Sequence, residues 1–205
     1  MILQNRVTPF GDLTIDPARG LLMGNRGGRL HDARRKLGAR RWASKQWICC
    51  RLDFNNRHRK VWGDSYSELF FLDEVTAFAA GHRPCFECRR KDAQAFAALF
   101  PGRHKAPEMD AVLHGQRLAG KAKRRHRRAL GAIPDGAMIA FGEEAFAVRG
   151  KHLLRWTPDG YDERRARPDG IDVDVLTPPA ILAVLAKGYA PLWHPSALPI
   201  SPARP

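Results

Sequence analysis

The sequence predicts an α+β fold, a cysteine-bearing strand with flanking helices plus a small antiparallel β-meander, and three observations carry the class. Period-two alternation runs through residues 46–54, the spacing of a strand with two different faces. A Phe/Ala-rich stretch ends at Gly81 with Pro84 just beyond, the punctuation of a helix that stops. Short apolar segments separated by Gly-containing turns follow between residues 137 and 156, which reads as a meander.

Taken in order, residues 4–14 form a short hairpin around Pro9-Phe10-Gly11-Asp12. Residues 20–41, with Gly20, Gly24, Gly27, Gly28 and Gly38 among many arginines, read as an irregular basic loop. It is neither a Walker loop nor a dinucleotide fingerprint, because the terminal Gly-Lys-Ser/Thr and the flanking strand and helix are missing. In the strand over residues 46–54, Ile48, Cys50, Leu52 and Phe54 share one face, and Trp47, Cys49, Arg51 and Asp53 share the other. A second strand at residues 59–62 is expected to pair with it. Ser65 and Glu68 have capping-box spacing, which predicts a helix over 66–80. A second helix over 89–100 is stopped by Pro101-Gly102, and a weaker helical stretch covers 108–130. Strands at 137–141, 145–149 and 152–156 make the meander, residues 157–170 are turn-rich, and Thr177-Pro178-Pro179 opens a last helix closed by Gly188. The tail from Pro195 is expected to be poorly ordered.

A chain of 205 residues can bury a core without disulfides. Its four cysteines lack the even spacing of a secreted disulfide framework, no cleavable signal pattern opens the chain, and no apolar run is long enough for a bilayer. A cytoplasmic protein is expected. The net charge of +14 is clustered: residues 19–60 hold 13 Lys or Arg against Asp32 and Asp53, and residues 121–128 read KAKRRHRR. Arginines gathered on one surface bind polyanions by releasing condensed counterions. Arg34, Arg35, Lys36, Arg40 and Arg41, with Lys121, Lys123, Arg124, Arg125, Arg127 and Arg128, are therefore the candidate nucleic-acid contacts; a merely solvated basic surface is the plain alternative.

The most specific motif is Ala80-Gly81-His82-Arg83-Pro84-Cys85-Phe86-Glu87-Cys88-Arg89. Two thiolates in C-x-x-C spacing can face one metal at tetrahedral angles, so Cys85 and Cys88 are candidate zinc ligands. Buried structural thiols or a redox pair are the competing readings, although a redox motif wants a preceding strand in a βαβ unit. Residues 47–92, with a cysteine-bearing strand, a Phe/Ala-rich helix and this Ala-Gly-x-Arg-Pro-Cys-x-x-Cys ending, resemble the metal-binding domain of Ada-type proteins that repair methylated DNA phosphotriesters. The resemblance implies Zn²⁺ on Cys85, Cys88 and Cys50, with Arg83 and Pro84 shaping the turn. It also implies a nucleic-acid partner, DNA rather than RNA, and work in DNA damage recognition or repair. That family's C-x-x-x-C segment is incomplete here, since Phe54 and Gln46 flank Cys50 at that spacing. The fourth ligand is left among His31, His58, Cys49, His82 and water.

Three regions follow: a basic Gly/Arg-rich segment at 1–45, the Ada-like region at 46–107, and a helix, meander and final helix at 108–205. A zinc-stabilised nucleic-acid-binding protein is the leading expectation. A metal-dependent nuclease, drawing on Asp64, Glu68, Asp73 and Glu74 or on Asp110 and His114, is the alternative, and a thiol redox sensor a third.

Overall fold

The computed structural model describes residues 2–56, 60–102 and 105–198. Its α+β architecture has two six-stranded sheets with one short helix between them. In chain order the strands are β1 Arg6–Val7, β2 Leu13–Thr14, β3 Leu22–Asn25, β4 Ile48–Arg51 and β5 Leu69–Phe71. Helix α1 Glu74–Ala79, strand β6 Arg83–Pro84, and helices α2 Arg90–Leu99 and α3 Ala106–Arg117 follow. Then come β7 Leu118–Ala119, β8 Ala122–Lys123, β9 His126–Ala129, β10 Met138–Phe141, β11 Glu144–Arg149, β12 His152–Thr157, β13 Gly160–Ala166 and β14 Asp172–Val175, with α4 Pro179–Ala186 last.

The first sheet has the order β2-β1-β5-β3-β4-β6 and the second β13-β12-β11-β10-β14-β9. All six residues of α1 are buried; its two polar side chains are paired, Glu74 with Arg89 and Thr76 with Asp73, as buried polar groups must be. Ala77 and Ala80 pack with Leu22, Cys49, Leu69 and Phe71 of the first sheet. Val75 and Ala79 pack with Met138, Ala147 and Leu154 of the second. The other face of the second sheet meets α2, α3 and α4 through Phe96, Met109, Leu113, Ile139, Phe146 and Ile181.

The hairpin, α2, the meander and α4 match the sequence reading closely. The helix expected from residue 66 instead begins at Glu74, because Leu69–Phe71 is taken into the middle of the first sheet between β1 and β3. Its cap is Asp73, whose Oδ1 accepts from the Thr76 N–H at 2.8 Å, not Ser65. The basic loop of 20–41 contains β3, which pairs with both β4 and β5. Gly24 makes this possible: a Cβ there would lie 2.0 Å from the Ile48 carbonyl oxygen. No strand forms at 60–62; β4 pairs with β3 and β6 instead. The basic run is not helical. It spans β8 and β9, with β9 on the outer edge of the second sheet, and residues 160–166 extend the meander by one strand. The first sheet crosses the 45/46 division read from the sequence, since β3 and β4 are hydrogen-bonded neighbours.

Candidate metal centre

Alternation along β4 does separate its cysteines, and it is the face of Trp47 and Cys49, not that of Ile48 and Cys50, that meets the core. Trp47 and Cys49 enter the core at 2% and 0% exposure. Cys50, with Ile48, Leu52 and Phe54, looks into an open cavity of about 410 Å³. Strand β6 runs parallel to β4 with Ile48 beside Arg83 and Cys49 beside Pro84. The next pair in that register is Cys50 and Cys85. The Cys85 N–H donates to the Cys49 carbonyl at 3.0 Å, and the Arg89 N–H closes the turn on the Cys85 carbonyl at 3.1 Å. Cys88 is thereby folded back over the same point, and the Sγ atoms of Cys50, Cys85 and Cys88 all lie within 4.8 Å of one another.

This spacing fits one soft divalent ion, since Zn–S bonds of about 2.3 Å at tetrahedral angles place sulfurs about 3.8 Å apart. The Glu87 N–H donates to Cys85 Sγ at 3.4 Å, the kind of outer contact that orients a thiolate ligand. Sharing hydrogen bonds with Cys50 and Cys88 pulls the Cys85 thiol well below its usual range, and the same sharing pushes Cys50 up. Of the three crowded sulfurs, Cys85 is thus the readiest to lose its proton. A cation replaces the remaining protons and stabilises all three thiolates.

The other candidate ligands are elsewhere. Cys49 lies on the opposite face, where burial pushes its thiol up and Arg89 Nη1 donates to its sulfur at 3.3 Å. His31 stacks on Trp62 at 5.1 Å, with Nδ1 against the Ser67 hydroxyl and Nε2 against the Gly63 carbonyl. His82 is fully buried between Trp47 and Phe71, and Arg26 Nε reaches its Nε2 at 3.4 Å. His58 lies outside the described residues. Among the described residues, therefore, three cysteines form the metal-capable group, and its fourth side opens on the cavity.

The carboxylates considered for a second metal have structural partners. Asp73 accepts from Thr76, Tyr161 and the His194 backbone. Glu74 accepts from Arg89, Tyr189 and the Leu192 backbone. Asp110 forms a buried bidentate pair with Arg83 at 2.8 and 2.7 Å, and His114 packs on Trp42 and Trp47. Asp64 sits at the surface near Arg29. Glu68 accepts from the Trp62 N–H through one oxygen only and lines the cavity beside the cysteines at 3% exposure, and no signal in the sequence distinguishes it from a helix-capping residue.

Basic residues divide into two groups. Arg34, Lys36, Arg40 and Arg41 are exposed and Arg35 half-buried on the loop between β3 and β4. In the second run, Arg125 approaches Glu143 and Asp174, Arg127 approaches Asp174, and Arg124 donates to the Leu118 carbonyl. Lys121 and Arg128 face solvent. Lys123 turns inward and donates to the Ala79 carbonyl. Two arginines stand in the same interior, Arg26 and Arg117, with guanidinium carbons 3.9 and 3.8 Å from the Trp47 ring. Of the other tryptophans, Trp62 is buried, while Trp42 packs on Trp47 and Trp156 donates to Thr76 Oγ1.

Burial, then repulsion from Arg117 and Arg26, lowers the Lys123 ammonium to about 7, against weak attraction from Asp12. Between that value and the ordinary 10.5, the unfolded chain holds a proton that the folded chain lacks, so stability rises with pH across this window. Lys123→Met should flatten that rise and stabilise the protein below pH 7, by on the order of 1–3 kcal/mol. Urea melts of both proteins at intervals from pH 6 to 10 check this; parallel curves would refute it.

No protein-family model matches the chain, and neither the curated proteins nor the solved structures compared with it include a match. Among the described residues no helix is long and apolar enough to cross a membrane.

Proposed function

We propose that the protein is a zinc protein that works on nucleic acid, with Cys50, Cys85 and Cys88 as ligands of one Zn²⁺. The observation that carries the reading is the convergence of three sulfurs within 4.8 Å from two sequence-distant segments. Thiolate ligands favour zinc over hard cations, and a three-thiolate set leaves one coordination position for water or substrate. The test is metal analysis of protein purified without added metal. One zinc per chain is expected, released at acid pH as the thiolates take up protons; protein that binds neither zinc nor cobalt overturns the reading.

The nucleic-acid part rests on the charge of +14 and on the exposed loop. Among the described residues, no ion pair engages Arg34, Lys36, Arg40 or Arg41. Those four are the stronger phosphate contacts, because several members of the 121–128 run are paired with carboxylates or turned inward, whereas the four are exposed and Arg41 reaches only the carbonyls of its own loop. DNA damage recognition or repair stays the biological reading, carried by the Ada resemblance of residues 47–92. Each phosphate contact contributes about 0.9 to the slope of log affinity against log salt on duplex DNA. Replacing all four residues by Ala should therefore lower the slope by about 3–4. An unchanged slope in a folded variant would remove this loop from the interface.

A further inference from the structure

The cavity over the three cysteines has features that metal binding alone does not use. Its walls include Ile48, Leu52, Val61 and Phe70, and Glu68 is its buried carboxylate. Glu68 Oε2 accepts from the Trp62 N–H at 2.8 Å. Its other oxygen, Oε1, is buried with no hydrogen-bond partner. A buried acceptor left unpaired is costly to folding, and such groups recur where a ligand supplies the missing donor. A volume of about 410 Å³ falls within the range of small-molecule sites, which combine apolar walls with a few polar anchors.

We propose that this cavity binds a neutral or cationic amino-heterocycle, whose N–H group donates to Glu68 Oε1 while a ring nitrogen or carbonyl faces the fourth position of the metal. The inference rests on the zinc reading above and goes beyond it by naming what the open side of the site receives. Charge selects the ligand class. Three thiolates on a divalent ion leave one negative charge and the buried Glu68 carboxylate adds a second, while the exposed Arg51 and Glu87 that also line the cavity offset each other, so phosphates and carboxylates are repelled from the cavity floor. A flat ring suits the apolar walls and the Phe70 side chain. The same chemistry occurs in a free nucleobase and in a base extruded from a strand.

The experiment uses full-length protein loaded with Co²⁺, whose visible spectrum reports the coordination sphere, titrated with cytosine, adenine and benzoate and followed in parallel by calorimetry. Saturable binding of a base with a spectral change, and none of benzoate, is the expected result. Glu68→Gln, which keeps an acceptor for the Trp62 N–H, should load cobalt fully and lose at least about tenfold in affinity. Leu52→Trp supplies a second variant: Leu52 is 51% exposed, so filling the cavity there leaves the fold intact and should abolish binding. Single-stranded oligonucleotides with and without one abasic position separate the sources, since a site for strand-borne bases discriminates between them and a site for free bases does not; either pattern, with the Glu68 dependence, supports the proposal. Full cobalt loading with no binding of either base, or Glu68→Gln binding as wild type, overturns it alone. Failure to take up metal overturns the zinc reading and this inference together.

Discussion

Replacing Cys85 and Cys88 together by Ser is expected to abolish zinc binding and to lower stability by the free energy that the metal contributes to folding. The magnitude follows from mass action: a metal present at a thousandfold above its dissociation constant stabilises the native state by about 4 kcal/mol. Structural coupling adds to this. Cys85 follows β6 directly and its N–H is bonded to the Cys49 carbonyl, so loosening the Cys85–Cys88 turn frees the edge of the sheet and the start of α2. Cys50→Ser should cost less in stability, because β4 is held on both sides by β3 and β6, but it should weaken metal binding comparably. Cys49→Ser should leave metal content unchanged, its thiol lying on the opposite face of the strand beside Arg89. Zinc stoichiometry and thermal melts, each with and without a chelator, check all four proteins. One zinc per chain retained by the Cys85→Ser, Cys88→Ser variant would falsify the site.

Cys85 and Cys88 were legible in the sequence because C-x-x-C spacing is local, announced by Gly81 in the left-handed region at φ +88 and by Pro84, although pairing with β4 fixes where the turn sits. Cys50 was legible through the Ada resemblance; strand alternation separates it from Cys49, although alternation does not reveal which face meets the core. Glu68 was misread because its two possible roles look alike locally. Ser65…Glu68 and Asp73…Thr76 are both plausible helix starts, and the choice is made by tertiary structure when Leu69–Phe71 becomes an inner strand. Strand β3 was hidden by its own requirement for Gly24, a residue that reads as loop but permits close approach of Ile48. Strand β9 was hidden by charge. His126–Ala129 lies at a sheet edge, where basic side chains discourage pairing with other chains, so the pattern that resembles a solvated helix also suits an edge strand.

Asp73→Ala is expected to destabilise the fold by about 3–5 kcal/mol, the cost of breaking a buried polar network at its centre. The carboxylate accepts four hydrogen bonds: Thr76 N–H and Oγ1–H at 2.8 Å each, the Tyr161 hydroxyl at 2.8 Å, and the His194 N–H at 3.1 Å. One residue therefore caps the central helix, ties it to β13 of the second sheet, and fastens the segment after α4. Loss of the cap alone accounts for about 1 kcal/mol; the rest comes from the buried Tyr161 hydroxyl and the buried Thr76 hydroxyl left without their acceptor, with a smaller share from the half-buried His194 N–H. Burial pushes the Asp73 carboxyl up while these donors pull it back, so Asp73→Asn, which retains one acceptor oxygen but turns an amide toward some of the donors, should fall between wild type and Ala. Tyr161→Phe removes a single donor and should cost only about 1 kcal/mol. Metal content should be the same in all three variants, since Asp73 is not among the three cysteines of the metal-capable cluster. Urea unfolding of the three proteins measures the series. A loss below about 1 kcal/mol in Asp73→Ala would show that the network is dispensable and that α1 is held by its apolar contacts alone.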